Sequence, residues 1–196
     1  MFSQRDEETY ILEHFKGSTG TFLDLGAYDG VMFSNTRQLA LNGWRGVCVE
    51  PSPTVLPKLL ELYKDSDKIK VLPYAVGDTT EQKTFYDSNG DAVSSLDTKH
   101  VKVWKKGSNV KFSPVQVECL TVSDLLDKIG FDFDFINIDT EGISFYILKQ
   151  LPFDKLINLK MICIEYDGKA DDIAKYVKRY GFSVLHRTAE NLLLVK

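Results

Sequence analysis

Five acidic residues stand at or just beyond the ends of short apolar runs: Asp24 in TFLDLGAYDG, Glu50 in GVCVEPSP, Asp139 and Glu141 in FINIDTEG, and Glu165 in CIEYDG. If those runs are strands of an open α/β sheet, their ends collect along the carboxyl edge, where such sheets bind ligands near the topological switch point. The turn after Asp24 carries Gly26 and Gly30 around Ala27 and Tyr28, and glycines there allow a tight turn and a close backbone approach. Glu50 follows about 20 residues beyond that turn, a spacing at which an acidic side chain commonly holds a ribose diol. An adenosine-containing ligand is therefore expected. A dinucleotide fingerprint would need G-x-G-x-x-G to cradle a pyrophosphate, and this turn has only G-x-x-x-G. Asp24 would also repel a pyrophosphate, whereas the ammonium and sulfonium of S-adenosylmethionine would be attracted to it.

Asp139 and Glu141, two residues apart at a strand end, can both face the same cleft. One can receive a proton while the other orients a hydroxyl, and a positioned base of this kind contributes about 10²–10⁴-fold to such a reaction. The competing reading has Asp139 capping the next helix and Glu141 solvated in its first turn. Glu165, with Asp167 close behind, adds a third carboxylate, and carboxylate oxygens suit Mg²⁺ or Mn²⁺. His100 lies near a basic run, Lys99, Lys102, Lys105, Lys106 and Lys111, interleaved with Trp104 and Phe112. That pattern reads either as a solvated strand face or as a surface for an acidic or phosphorylated acceptor, with Trp104 stacking on a sugar. His100 is a secondary candidate for a proton acceptor, and His14 and His186 read as surface or packing residues.

The elements that would position these groups follow from periodicity. Apolar runs rich in Val, Ile and Phe alternate with helical patterns, the signature of an α/β fold with a mostly parallel sheet and helices on both faces. A leading helix spans Gln4 to Phe15; TFLDL is the first strand, Phe33 to Asn42 a helix, and GVCVE the second strand. Leu56, Leu59, Leu60 and Tyr63 fall at i, i+3, i+4, i+7, an amphipathic helix with Pro57 in its first turn, and IKVLPY follows as a third strand. Residues 79–119 break the alternation and read as an antiparallel insertion facing the substrate. Thr121 with Asp124 resembles a capping box; FDFINID, a short helix, KMICIEY, a helix ended by Gly181, and a closing pair of strands complete the chain.

At 196 residues, 43% hydrophobic and 27% charged, the chain suits one domain, 1–196, with residues 1–20 as its leading segment. The net charge of −4 and pI near 5.4 make nucleic acid an unlikely partner. Cys48, Cys119 and Cys163 lie in apolar runs without metal-ligand spacing and are expected as buried thiols. A charged N-terminal stretch and no apolar run of about 20 residues predict no membrane span, and a reducing cytoplasm is the expected location.

Taken together, FLDLGAYDGVMFSNT, GWRGVCVEPSP, AVGD and FINIDTEGISFYIL resemble the FkbM-type family of S-adenosylmethionine-dependent methyltransferases, over roughly Phe22 to Tyr166. The resemblance implies a Rossmann-like class I methyltransferase fold, with a seven-stranded sheet ending in a reversed hairpin, and O-methylation of hydroxyls on sugars, glycans or other small molecules. It implies that Asp24, Gly26, Ala27, Tyr28 and Gly30 cradle the methionine part, with Ser34 bonding its carboxylate. Glu50 would take the ribose, Pro51 and Ser52 the adenine side, and an AVGD turn, Ala75, Val76 and Asp78, the base. Its acceptor would be a small molecule or saccharide. RNA methylation, or a catalytically silent donor-binding module beside a partner enzyme, are the alternatives; an oligomeric state does not follow.

Overall fold

A computed structural model describes residues 1–196. Helix α1 (Glu7–His14) leads into β1 (Thr21–Leu25), α2 (Arg37–Leu41), β2 (Arg45–Val49), α3 (Leu56–Tyr63), β3 (Ile69–Leu72) and β4 (Ala75–Gly77). Then come β5 (Glu81–Asp87), α4 (Thr98–Gly107), β6 (Ser113–Thr121), α5 (Val122–Ile129), β7 (Phe135–Ile138), α6 (Ser144–Gln150) and β8 (Met161–Glu165). Helix α7 (Ala170–Val177), a 3₁₀ turn, β9 (Ser183–Arg187) and β10 (Asn191–Val195) close the chain.

Seven strands form one sheet in the order β3-β2-β1-β7-β8-β10-β9. All neighbours are parallel except β10, which runs antiparallel to both β8 and β9. The expected closing hairpin is that pair. Strand order reverses between β1 and β7, so the ends of those two strands flank the switch point.

Period-2 alternation sorts the strand residues onto two apolar layers. Leu23, Leu25, Ile136, Ile138, Ile162, Ile164, Leu192 and Leu194 pack with Val122, Leu125 and Leu126 of α5, Ile147 and Leu148 of α6, and Ile173 and Val177 of α7. Phe22, Cys48, Phe135, Cys163 and Leu193 face the other way, onto Ile11 of α1, Leu39 of α2, and Leu59 and Tyr63 of α3. All three cysteines are buried free thiols. Within α3, Leu60 is exposed despite its spacing; the buried stripe of that short helix is only Leu59 and Tyr63 wide.

Three local expectations are corrected. The helix expected over Phe33–Asn42 begins only at Arg37. Before it the chain turns: Asp29 accepts from the N–H groups of Val31 and Met32, Phe33 takes φ +60°, and Ser34 Oγ accepts from Arg37 N at 3.0 Å. Ala75–Gly77 of AVGD form strand β4 rather than a turn, because β4 pairs in parallel with β6 in a second, three-stranded sheet, β4-β6-β5. β5 and β6 are antiparallel as expected, but the lysine run between them, except Lys111, lies on helix α4, started by the Asp97 carboxylate accepting from Lys99 N. Lys99, Lys102, Lys105 and Lys106 then fall on one side of α4, while His100 and Trp104, four apart, share the opposite side. Thr121 caps α5 by accepting from Asp124 N at 3.1 Å. No helix is long and apolar enough to cross a membrane.

Candidate active site

The carboxyl ends of β1, β2, β7 and β8 form the floor of a cleft of about 400 Å³, within the range of small-molecule sites. Of the residues expected at a ligand site, Asp24, Gly26, Ala27, Tyr28, Ser34, Glu50, Pro51, Ser52, Ala75, Val76, Asp139, Glu141 and Glu165 line it. Gly30 and Asp78 do not. Gly30, at φ +75°, sits under α3, where a Cβ would come within 2.6 Å of Leu59; its role is to let the turn pack. Asp78 is exposed outside the cleft and paired with Lys83, which holds its carboxyl below the usual range.

Gly26 takes φ +87°, and a Cβ on it would lie 1.7 Å from the carbonyl oxygen of Asp139. The glycine is therefore required by the approach of β1 to β7, not only by a ligand. Asp24 is buried, its two oxygens accepting from Asn137 Nδ2 at 2.8 Å and Thr36 Oγ1 at 2.6 Å. Asn35 Nδ2 donates to Asn137 Oδ1 at 3.0 Å. Burial pushes the Asp24 carboxyl up, and those two bonds pull it back down. The network ties the turn before α2 to β7, so Asp24 organises the cleft floor besides contributing charge to it. Asn137, Asn35 and Thr36 were not singled out from sequence; the apolar neighbours of Asn137 in FINID mark that position only as strand.

Glu50 is equally tightly held. Its Oε2 accepts from Tyr28 N at 2.9 Å and its Oε1 from Ser52 N at 2.7 Å, leaving a lone pair on each oxygen for ligand hydroxyls. Burial raises this carboxyl to about 7 against the opposing pull of the two amides. Tyr28 itself takes φ +50° and donates its hydroxyl to Gly90 O at 2.5 Å, which joins the first turn to the insertion. Ser52 Oγ donates to Asp87, so Ser52 shapes the wall through its backbone. Residues 91–94 of the insertion, Trp104, and the exposed Met32 and Phe33 complete the rim.

At the floor, Asp139, Glu141 and Glu165 place carboxylate oxygens within 4.8 Å of one another. Burial raises all three carboxyls, and their mutual repulsion adds to it for Asp139 and Glu165. Asp139 Oδ1 and Glu165 Oε2 are buried with no donor in reach. Two facing carboxylates offer acceptors only, so a shared proton, a donating water or a cation must lie between them. Neither Asp139 nor Glu141 caps α6, which starts without a side-chain cap. Glu141 takes φ +49° and approaches His100 Nε2 at 3.0 Å.

Seven carboxyl side chains line the cleft, Asp24, Glu50, Asp91, Asp139, Glu141, Glu165 and Glu190, and not one Lys, Arg or His does. Arg5 pairs with Glu190 from outside the lining, and burial favours the protonated forms of Asp139 and Glu165; with no basic side chain in the lining, the remaining charge still favours a cationic ligand over phosphate.

The model of the Methyltransferase FkbM domain matches residues 24–184. The chain belongs to this family. Its fold is shared by solved methyltransferases of low sequence identity. A ribosomal protein L11 methylase from Lactobacillus delbrueckii subsp. bulgaricus superposes with TM-score 0.53 at 11% identity, covering 96% of this chain and 74% of that one. A candidate tRNA (m1A22) methyltransferase from Streptococcus pneumoniae gives 0.54 at 14%, covering 100% and 70%. An N-terminally shortened METTL16 methyltransferase domain gives 0.52 at 11%, covering 97% and 79%. No curated protein matches the sequence significantly. The FkbM domain protein is thus an α/β chain of Rossmann-like methyltransferase architecture, with its acidic cleft at the switch point of the sheet.

Proposed function

We propose that this FkbM domain protein is an S-adenosylmethionine-dependent O-methyltransferase acting on a hydroxyl of a sugar, glycan or other small, non-anionic compound. The observation that carries the reading is the cleft lined by seven carboxyl groups and no cation. A donor bearing a sulfonium and an ammonium is stabilised there, whereas the pyrophosphate of a nicotinamide cofactor is repelled. The same charge opposes RNA. The lysines of α4 lie on the side opposite Trp104, away from the cleft rim, and so offer an anionic acceptor no path to the floor.

In this reading Glu50 accepts the ribose hydroxyls, and Ala75 and Val76 flank the base. Ser34 Oγ accepts from the α2 backbone, and its O–H, which reaches Thr36 Oγ1 only at 3.4 Å, turns to the methionine carboxylate. The acceptor lies under Trp104 and Phe33. Its oxygen attacks the donor methyl in line: the O–CH₃ bond forms, the S–CH₃ bond breaks, and the electron pair stays on sulfur, which becomes neutral. Positioning supplies most of the acceleration. The hydroxyl proton passes to Asp139. Its partnership with Glu165 holds one proton between two carboxyls, and burial makes the ionised member a stronger base than an exposed carboxylate. Glu141 orients the acceptor.

The oxygens of Asp139, Glu141 and Glu165 also fit a hard divalent cation such as Mg²⁺ or Mn²⁺ in spacing and type; when bound, such an ion would lower the pKa of the acceptor hydroxyl. The test is transfer of labelled methyl from S-adenosylmethionine to a panel of methyl glycosides and to an RNA oligonucleotide, with Mg²⁺ or with EDTA. Labelled glycoside supports the reading. Label in RNA alone overturns it.

A further inference from the structure

Three contacts from the insertion converge on the loop that carries Glu141. Ser95 Oγ donates to the Glu141 carbonyl oxygen at 2.5 Å. His100 Nε2 reaches the Glu141 carboxylate at 3.0 Å, a charge contact without the alignment of a full hydrogen bond. The His100 side chain also lies against Gly142, at φ +94°, where a Cβ would come within 3.0 Å of it. Both partners of the charge contact are largely buried, with side chains 12% and 17% exposed. The charges of Asp97 at the start of α4 and Asp167 beyond β8 also favour a protonated imidazole. Glu141 pays for its aim with a left-handed backbone, which a non-glycine residue holds only when its surroundings over-determine it. His100 and Ser95 supply that constraint.

Resting on the proposed reaction, we infer that His100 is a positioning residue: its imidazole holds the Glu141 carboxylate toward the cleft and so makes helix α4 a working part of the methyl-transfer site. His100 lines no part of the cleft itself; it acts through Glu141. One turn along the same side of α4, Trp104 does line the cleft. The helix that meets the acceptor therefore also holds the loop that orients it, and acceptor binding draws the loosely aligned His100–Glu141 contact tight, as catalytic hydrogen bonds commonly tighten on complex formation.

The experiment uses the full chain in two arms. In the first, ¹⁵N-histidine-labelled protein is compared with Glu141→Gln at one pH. The inference expects the His100 imidazole signals to move while those of His14 and His186 stay; an unmoved His100 overturns it. In the second, His100→Ala and His100→Gln are compared by S-adenosylhomocysteine calorimetry and by labelled transfer to a methyl glycoside found in the panel. Expected for His100→Ala is a kcat fall of roughly 10²-fold, the scale of a misplaced reacting group, with KM and product affinity nearly unchanged. His100→Gln, whose amide nitrogen can donate to Glu141, recovers most of that loss. Wild-type kcat in His100→Ala overturns the inference, as does an equal loss in both variants. Should His100→Ala lose product binding through misfolding, His100→Gln and the labelled spectrum decide. If wild type methylates no glycoside, the O-methylation reading fails by itself, and the first arm still decides whether His100 holds Glu141.

Discussion

Gly26 and Asp139 are joined through space so closely that a Cβ on the glycine would sit 1.7 Å from the aspartate carbonyl oxygen. The turn proposed to cradle the donor and the loop that bears the proposed base are thereby one packed unit at the switch point of the sheet. Backbone cannot yield as a flexible side chain can, and φ +87° adds a penalty of about 1–2 kcal/mol for any L side chain. Gly26→Ala should destabilise the protein by about 4 kcal/mol or more. Gly181→Ala, left-handed at φ +85° and ψ 7° with only the flexible Lys196 side chain near, at 3.8 Å, should cost no more than the backbone penalty. Urea unfolding of both variants checks this; equal losses would mean the close approach is not what constrains Gly26.

Donor binding should strengthen as pH rises through about 7. Hydroxyls of a ribose donate best to an ionised Glu50, and burial holds this carboxyl at about 7 in the free protein. Binding should therefore release a proton near neutrality, measured by calorimetry of S-adenosylhomocysteine in buffers of different ionisation enthalpy. For folding, the sign is opposite to that of an ion-paired acid. The folded chain binds the Glu50 proton more tightly than the unfolded chain, so the contribution is present below pH 4.5 and is lost as pH rises to about 7, on the order of 3 kcal/mol in all.

Asp139→Asn should separate stability from activity. Burial and the nearby charge of Glu141 disfavour an ionised Asp139; a neutral amide there escapes both and can still donate to Glu165 in place of the shared proton. A gain of about 1–2 kcal/mol, a few degrees in Tm, is expected. Turnover should fall about 10²–10⁴-fold with donor affinity retained. Thermal unfolding, calorimetry and labelled transfer read the three quantities, and unchanged turnover would remove Asp139 from its role.

Tyr28→Phe removes the bond to Gly90 O and leaves that carbonyl to water. A loss of about 1 kcal/mol is expected, together with weaker donor affinity, because Tyr28 N is also a ligand of Glu50. Unchanged affinity would show that the join between turn and insertion does not support the donor site.

The seven-stranded sheet was legible because its strands are short, apolar and punctuated by helical periodicity, and because strand-end acids mark one edge. The strand-end acids and Gly26 follow from that edge; Ala27, Ser34, Pro51, Ser52, Ala75 and Val76 follow only from the family resemblance. What escaped was tertiary in origin. The lysine run of α4 offers only Val101 and Trp104 at helical spacing, with Val101 alone buried, and its cap, Asp97, reads as one more polar loop residue. Gly30 and Asp78 carry motif positions yet serve packing and a surface ion pair. Asn137, Asn35 and Thr36 became visible only once Asp24 was seen to spend both its oxygens inside the protein.

The most direct measurement is calorimetric titration of the purified chain with S-adenosylmethionine, S-adenosylhomocysteine and NAD, repeated on Glu50→Ala. Binding of the first two without NAD, lost or greatly weakened in the variant, is the predicted result. Preference for NAD, or S-adenosylmethionine binding that Glu50→Ala leaves intact, would contradict the assignment of the acidic cleft as a methyl-donor site.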